Sequence, residues 1–193
     1  MVSGSTNRDD AVWTGRRIVV ALTGGIACYK VAPLVSSIVQ HGAEVRVIMT
    51  EAAARFVGPV TFESLSGRPV AQSIWHAQQD HESPHVAIAR WCELFLIAPA
   101  TADIIAKLAA GICDDVVSLS ACALPRTTPV LLAPAMNEQM WENPITRRNI
   151  ETLRQTLGYH TVGPEEGWQA CRTSGPGRMA EPDQIIAAAA GHL

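Results

Sequence analysis

Positive charge, long apolar runs and paired cysteines are all scarce in this sequence, and each scarcity removes a class of function. The 15 Lys and Arg stand against 18 Asp and Glu, for a formal charge of −3 with only 17% charged residues. A nucleic-acid binder needs a basic stripe to attract the phosphate backbone. None is present, so no nucleic-acid partner is expected. Gly, Pro or charge interrupts every hydrophobic stretch before the roughly 18 residues needed to cross a bilayer, so no membrane partner is expected either. The five cysteines, Cys28, Cys92, Cys113, Cys122 and Cys171, are odd in number and form no CxxC. Nor does the N-terminus carry a charged segment followed by an apolar core. A reducing cytoplasm is the expected location. The GxGxxG pattern of dinucleotide sites and the HExxH pattern of zinc peptidases are missing as well.

What is present is a regular alternation. A chain of 193 residues suits one domain that buries roughly 70% of its unfolded surface. Residues 1–15 are polar and without period, which suggests a flexible arm ahead of a single domain over 16–193. Ile18 to Leu22 is a continuous apolar run that ends in Thr23-Gly24-Gly25, and helical spacing follows from Ile26 to His41. Pro33 inside that helix predicts a kink or a short first turn. Further strands are expected at Val45–Met49, Leu94–Ala98, Val130–Ala133 and Tyr159–Val162. Helical stretches lie between them around 51–56, 60–65, 101–110, 114–123 and 144–157, and a last helix around 182–190. Apolar strands alternating with helices predict an α/β, doubly wound parallel sheet covered on both faces. Ligands of such sheets bind beyond the carboxyl ends of the strands, which directs attention to the residues just after each strand.

Those residues are unusual. Thr23-Gly24-Gly25-Ile26-Ala27 joins strand to helix with small side chains that let a mononucleotide phosphate reach backbone N–H groups, and Thr50 after the second strand adds a hydroxyl. A plain tight turn explains the glycines equally well. Pro99-Ala100-Thr101-Ala102-Asp103-Ile104 leaves room for a flat ring, although Asp103 is also what a helix dipole favours in a first turn. In Pro134-Ala135-Met136-Asn137-Glu138-Gln139-Met140-Trp141, packing accounts for the methionines and the tryptophan more readily than for Asn137, whose amide can hold a carboxylate. His76, His81 and His85 suggest a metal cluster only weakly, and no metal is expected. Histidine is the side chain whose unperturbed pKa lies near neutrality, so His85 is a candidate acid–base group, against the plainer reading of a surface histidine at a helix start. The segment 163–179 is expected to be one long irregular loop. In it Cys171 can donate a proton or pass electrons and Arg178 can bind an anion, so a mobile clamp or lid is expected there.

Taken together these residues resemble the homo-oligomeric flavin-containing cysteine decarboxylases, over nearly the whole chain from about Arg17 to Ile186. The segments TGGIACYK, HVAIARW, APATADIIAKLAAGI, PAMNEQMWENP and ACRTSGPGRM carry the resemblance, in family order. It implies a flavodoxin-like fold with FMN at a subunit interface of a homotrimer, in some cases assembled into a dodecamer. Gly24, Gly25, Ile26 and Thr50 would then hold the phosphate side. Thr101, Ala102, Asp103, Ile104, Ala135 and Met136 would surround the flavin. His85, Asn137 and Cys171 would be catalytic, and Asn137, Met140, Arg178 and Met179 would bind substrate. Two positions depart from the pattern: Asp103 stands where many relatives have Asn, and Arg172 replaces the glycine that commonly follows the lid cysteine.

The implied reaction removes the carboxyl group of a C-terminal, amide-linked cysteine. Cysteine lacks an electron sink for the carbanion left by CO₂ loss, so oxidation to a thioaldehyde comes first, with flavin taking the hydride from Cβ. Carbon dioxide then leaves an ene-thiol. In a peptide-modifying enzyme of the aminovinyl-cysteine type the ene-thiol is the product. In a phosphopantothenoylcysteine decarboxylase of coenzyme A biosynthesis it is reduced to 4′-phosphopantetheine. Cys171 and PAMNEQMW favour the second. Because no ligase domain follows Leu193, the expectation leans slightly to the peptide substrate. A non-catalytic regulatory flavoprotein and a flavin prenyltransferase share the fold; His85 with Asn137 speaks against the first, and PAMN against the second.

Overall fold

The structure is a computed structural model and describes residues 8–75 and 83–193. Five parallel strands form the central sheet: β1 (Arg17–Leu22), β2 (Glu44–Met49), β3 (Leu94–Ala100), β4 (Val130–Pro134) and β5 (His160–Thr161). Their order is β2-β1-β3-β4-β5, the flavodoxin-like sequence of a doubly wound sheet. Ile18 pairs with Val45 on one side and Leu94 on the other, and Phe95 pairs with Val130. The helices are α1 (Arg8–Trp13), α2 (Val31–Gln40), α3 (Glu51–Ala54), α4 (Pro59–Ser66), α5 (Pro84–Trp91), α6 (Ala102–Ala110), α7 (Val116–Cys122), α8 (Glu138–Trp141), α9 (Pro144–Thr152) and α10 (Pro182–Ala190). Among the described residues no helix is long and apolar enough to cross a membrane.

The strands are apolar without interruption because both sheet faces are covered. Ile18, Val20 and Leu22 pack with Leu34 and Ile38 of α2, Phe62 of α4 and Ile185 of α10. Val19 and Ala21 turn the other way and pack with Ile104 and Ile105 of α6 and Val117 of α7. Period-two alternation thus divides one run of residues between two cores. Beyond β2, Ala71 forms a short parallel bridge to Ile48: the Met49 N–H donates to the Ala71 carbonyl at 2.9 Å and the Ala71 N–H to the Val47 carbonyl at 3.2 Å.

Several expectations need correction. The polar arm expected over 1–15 contains α1, and Trp13 is 1% exposed within the core beside β1 and α2. Burial of one large aromatic outweighs the polarity of its neighbours. The helix expected from Ile26 to His41 is divided into a 3₁₀ turn over Ile26–Lys30 and α2, which agrees with the short first turn expected ahead of Pro33. Pro33 is the third residue of α2, in the first turn, where its missing N–H leaves no helical bond unmade. The irregular loop expected over 163–179 contains an antiparallel hairpin, β6 (Glu165–Trp168) with β7 (Ser174–Arg178). Its residues are too rich in glycine and too little buried to show strand alternation in sequence.

Replacing Trp13 by Ala should remove about 3 kcal/mol or more of unfolding free energy, the usual cost of deleting a buried large aromatic. Chemical denaturation monitored by circular dichroism measures it; a loss below about 1 kcal/mol would return α1 to the status of an arm.

Candidate functional site

In a sheet of this order the crevice opens where β1 and β3, neighbours in space, send their chains to opposite sides. Thr23, the first residue after β1, ties the two together. Its hydroxyl, 2% exposed with the rest of the residue, donates to the Pro99 carbonyl at 2.6 Å. That uses its one proton, so Thr23 Oγ1 is the acceptor for the Thr101 N–H at 3.2 Å and for the Thr101 hydroxyl at 3.1 Å. Cys28 Sγ donates to the Thr23 carbonyl at 3.2 Å, and burial pushes this thiol's pKa up. The turn is therefore fixed from both sides.

A cavity of about 1340 Å³ lies above this tie. Four chain segments begin helical turns around it: Ile26–Lys30, α3, α6 and α8. Thr50, Thr101 and Asn137 cap the last three, accepting the N–H groups of Ala53, Ile104 and Met140 at 3.2, 3.4 and 2.8 Å. Thr50 keeps its hydroxyl proton free to donate to an anion. Asn137 uses Oδ1 as the cap, which leaves the two N–H groups of Nδ2 without a partner among the described residues. Gly24 is required for close approach, because a Cβ there would collide with the Ala52 side chain of α3, while one at Gly25 would meet Thr101 Cγ2 at 3.4 Å. Small side chains and helix-start N–H groups at one end fit a single phosphate, and Thr101, Ala102, Ala135 and Met136 leave a broad wall for a flat ring. These residues fit a flavin mononucleotide.

The opposite wall is the hairpin. Gly177, at φ +131, lies against α8's entry so closely that a Cβ would strike the Met136 carbonyl, and the Met136 N–H donates to the Gly177 carbonyl at 2.9 Å. Gln169, 7% exposed, staples the tip: its Nε2 donates to the carbonyls of Gly175 and Pro176 at 3.1 and 2.8 Å. Its Oε1 accepts the Glu138 N–H at 3.2 Å and the Cys171 thiol at 3.4 Å. Cys171 Sγ also lies 3.0 Å from Thr173 Oγ1. Arg172 adopts φ +66, a left-handed conformation that costs a residue with a side chain about 1–2 kcal/mol.

At the hairpin base, Arg178 reaches Glu165 and Glu181, both at 2.9 Å, and Lys30 reaches Glu181 at 2.8 Å. The Lys30 hydrogen bond holds the Glu181 carboxyl below its usual range. A carboxyl whose pKa is lowered by folding contributes stability above its unfolded pKa, and that contribution is lost as pH falls through the folded value. Acid therefore loosens this base. Across the cavity Lys107 contacts Asp103, Asp114 and Asp115 at 3.4, 3.0 and 3.1 Å. Partial burial opposes its charge, and the hydrogen bonds to Asp114 and Asp115 outweigh that and raise its pKa.

The structure brings together Gly24, Gly25, Ile26, Thr50, Thr101, Ala102 and Asp103 with Ala135, Met136, Asn137, Met140, Cys171 and Arg178 on one cavity wall or another. Three expectations change. Ile104 is fully buried in the core between β3 and α6, so it supports the ring wall from behind. Met179 borders the cavity, but its side chain is 1% exposed among core residues, and its carbonyl accepts from Lys30 Nζ at 3.4 Å. His85 is the second residue of α5 and does not border the cavity of a single chain; its Nδ1 is buried with no hydrogen-bond partner among the described residues. His76 and His81 lie outside the described residues, and among those described no group of three or more His, Cys, Asp or Glu is placed to hold a metal ion. Sequence reasoning missed Thr23, Lys30, Gln169 and Glu181. For Thr23 and Lys30 the signal was their place at either end of the glycine turn; for Gln169 and Glu181 there was none.

A doubly wound sheet of this order, with a one-phosphate turn at its switch point and a broad cavity above, defines a mononucleotide-binding protein of the flavodoxin type. The chain belongs to the Flavoprotein family, whose description matches residues 7–193. It is 45% identical over 173 residues to the coenzyme A biosynthesis bifunctional protein CoaBC of Vibrio cholerae, a match covering 90% of this chain and 43% of that protein. The chain thus spans less than half the length of this curated relative. Among solved structures it is similar to a PPC decarboxylase mutant complexed with pantothenoylaminoethenethiol, with a TM-score of 0.80 and 29% identity over 90% of this chain and 96% of that one. It is equally similar to the FMN-dependent cysteine decarboxylase SpaF, with a TM-score of 0.80 and 29% identity over 92% and 97%.

Gly177→Ala should undock the hairpin from α8, because the added methyl meets backbone and the φ is unfavourable. A stability loss of about 1–3 kcal/mol is expected, with new protease cleavage confined to 163–179 and the circular dichroism of the sheet unchanged. Protection equal to that of the parent protein would show that the contact is dispensable.

Proposed function

We propose that the chain binds FMN in this cavity and decarboxylates the cysteine moiety of phosphopantothenoylcysteine, with 4′-phosphopantetheine as the product. One observation carries the reading: Gln169 Oε1 holds the Cys171 thiol and the Glu138 N–H together, so the thiol is fastened to the segment that begins with Asn137. A carboxylate-binding amide and a proton-donating thiol therefore belong to one rigid unit. The slight lean to a peptide substrate gives way here, because 45% identity to a coenzyme A biosynthesis protein outweighs an argument from chain length.

Bound flavin supplies a two-electron acceptor and donor, and the protein supplies the rest. Gly24, Gly25, Ile26 and Thr50 hold the phosphate through N–H and hydroxyl donors. Thr101, Ala102, Asp103, Ala135 and Met136 form the wall against the ring and exclude water. The Nδ2 donors of Asn137 orient the substrate carboxylate, and Met140, 45% exposed, covers the apolar part of the cysteine arm. Cys171 gives its proton once CO₂ has left. Proton transfer from the substrate thiol falls to His85, which reaches the cavity from a neighbouring copy. The family resemblance adds assembly as a trimer or a multiple of it to this reading, and a flavin-loaded monomer with full activity in sedimentation would contradict it.

A second reading keeps the same residues and changes the substrate to a peptide ending in cysteine. It is favoured by the equal likeness to SpaF, and it ends at the ene-thiol. Mass spectrometry of the flavin-loaded protein with phosphopantothenoylcysteine, and separately with such peptides, decides between them. Loss of one CO₂ from phosphopantothenoylcysteine, with product at the mass of the saturated thiol, is expected. Turnover of the peptide alone would overturn the reading.

Two variants test the roles. His85→Asn should retain FMN and lose CO₂ release by on the order of 10²-fold or more; near-normal turnover would remove His85 from proton transfer. Cys171→Ser should still release CO₂ but accumulate a product two hydrogens lighter than the thiol, because the cysteine acts after decarboxylation.

A further inference from the structure

The cations around the large cavity are matched by acids. Lys30 has Glu181, Arg178 has Glu165 and Glu181, Lys107 has three aspartates, and Arg55 has Glu51 at 3.4 Å. None of them brings an uncompensated positive charge to an incoming anion. Arg172 does. It lies at the hairpin tip, exposed, directly after Cys171, which lines the cavity while Arg172 itself does not, and its guanidinium has no acid partner among the described residues. Its backbone N–H closes the tip by donating to the Gln169 carbonyl at 2.9 Å, at a φ of +66.

That conformation suits glycine or asparagine. A long cationic side chain there adds no hydrogen bond or ion pair to the hairpin among the described residues. The tip therefore carries an arginine against its own backbone preference, and function at such positions is the reasonable inference from an observed outlier.

Position supplies the ligand. In the substrate reading above, the reacting cysteine lies between Asn137 and Cys171, and Arg172 stands at the rim of the cavity beside Cys171, which lines it. We propose that Arg172 is a specificity residue that binds the phosphate of the substrate arm at this rim and so distinguishes phosphorylated from unphosphorylated substrate. The inference rests on the phosphopantothenoylcysteine reading above. A guanidinium fits a phosphate through two parallel N–H···O bonds, and at an exposed rim that attraction is screened by salt.

The test compares phosphopantothenoylcysteine with pantothenoylcysteine on the flavin-loaded enzyme, for the unmodified protein and for Arg172→Asn, which tolerates the left-handed conformation, and Arg172→Lys, which keeps the charge. The unmodified enzyme should favour the phosphorylated substrate by about tenfold in kcat/KM, and this preference should shrink as ionic strength rises. Arg172→Asn should bring the ratio close to one through KM with little change in kcat, while Arg172→Lys should keep part of it. An equal loss on both substrates would mean that Arg172 acts on hairpin shape, and it would overturn the proposal, as would a ratio that Arg172→Asn leaves unchanged. An enzyme inert toward both substrates yet active on cysteine-ending peptides would overturn the substrate reading itself, and the role of Arg172 with it.

Discussion

The Thr23 hydroxyl is the constraint on which the rest of the site depends. One buried oxygen gives its proton to the Pro99 carbonyl and accepts two more from Thr101, so β1 and β3 are joined just past their carboxyl ends. Removing it would leave the buried Pro99 carbonyl and the half-buried Thr101 N–H without this partner at the point where the chain changes direction, a cost of about 1–3 kcal/mol for a buried group left unsatisfied. The parallel sheet alone sets the spacing of the strands. The threonine sets the relative position of the two turns that follow them, and hence the floor of the cavity.

The walls use the same economy of short side chains. Threonine or asparagine at the entry to α3, α6 and α8 satisfies one helical N–H with its own oxygen; Thr50 and Asn137 still keep a donor for a ligand, while Thr101 spends its proton on Thr23. Glycine appears where backbone meets another chain segment, at Gly24 against Ala52 and at Gly177 against Met136. Charge is kept at the perimeter, in the Lys30–Glu181–Arg178–Glu165 chain and the Lys107 cluster, where it fixes elements without dominating the interior. Gln169 completes the arrangement as the uncharged link between hairpin and α8.

The strands and most helices were legible in sequence because a sheet buried on both faces writes an unbroken apolar run, and because the residues just past several strands are small or hydroxylic and line the cavity. Thr50, Thr101 and Asn137 stood out for this reason. The failures share a physical cause, which is that long-range contact overrode local pattern. Trp13 belongs to the core although its neighbours are polar, and Glu165–Trp168 pairs with Ser174–Arg178 although glycine and exposure hide the strand period. Gln169 gains its importance from partners that are distant or lie across a turn. His85 was singled out by residue type and motif, while its separation from the cavity of one chain is a property of three-dimensional placement that no local pattern encodes.

The Ala71 bridge on β2 has a further consequence. An outermost strand normally offers a row of unsatisfied N–H and C=O groups to any passing chain. Here the Met49 N–H and the Val47 carbonyl are already engaged by Ala71, and at the far side β5 has only two residues. Among the described residues, both margins of the central sheet are therefore shortened as templates for an added strand, which limits the repeating backbone ladder that leads to fibrils.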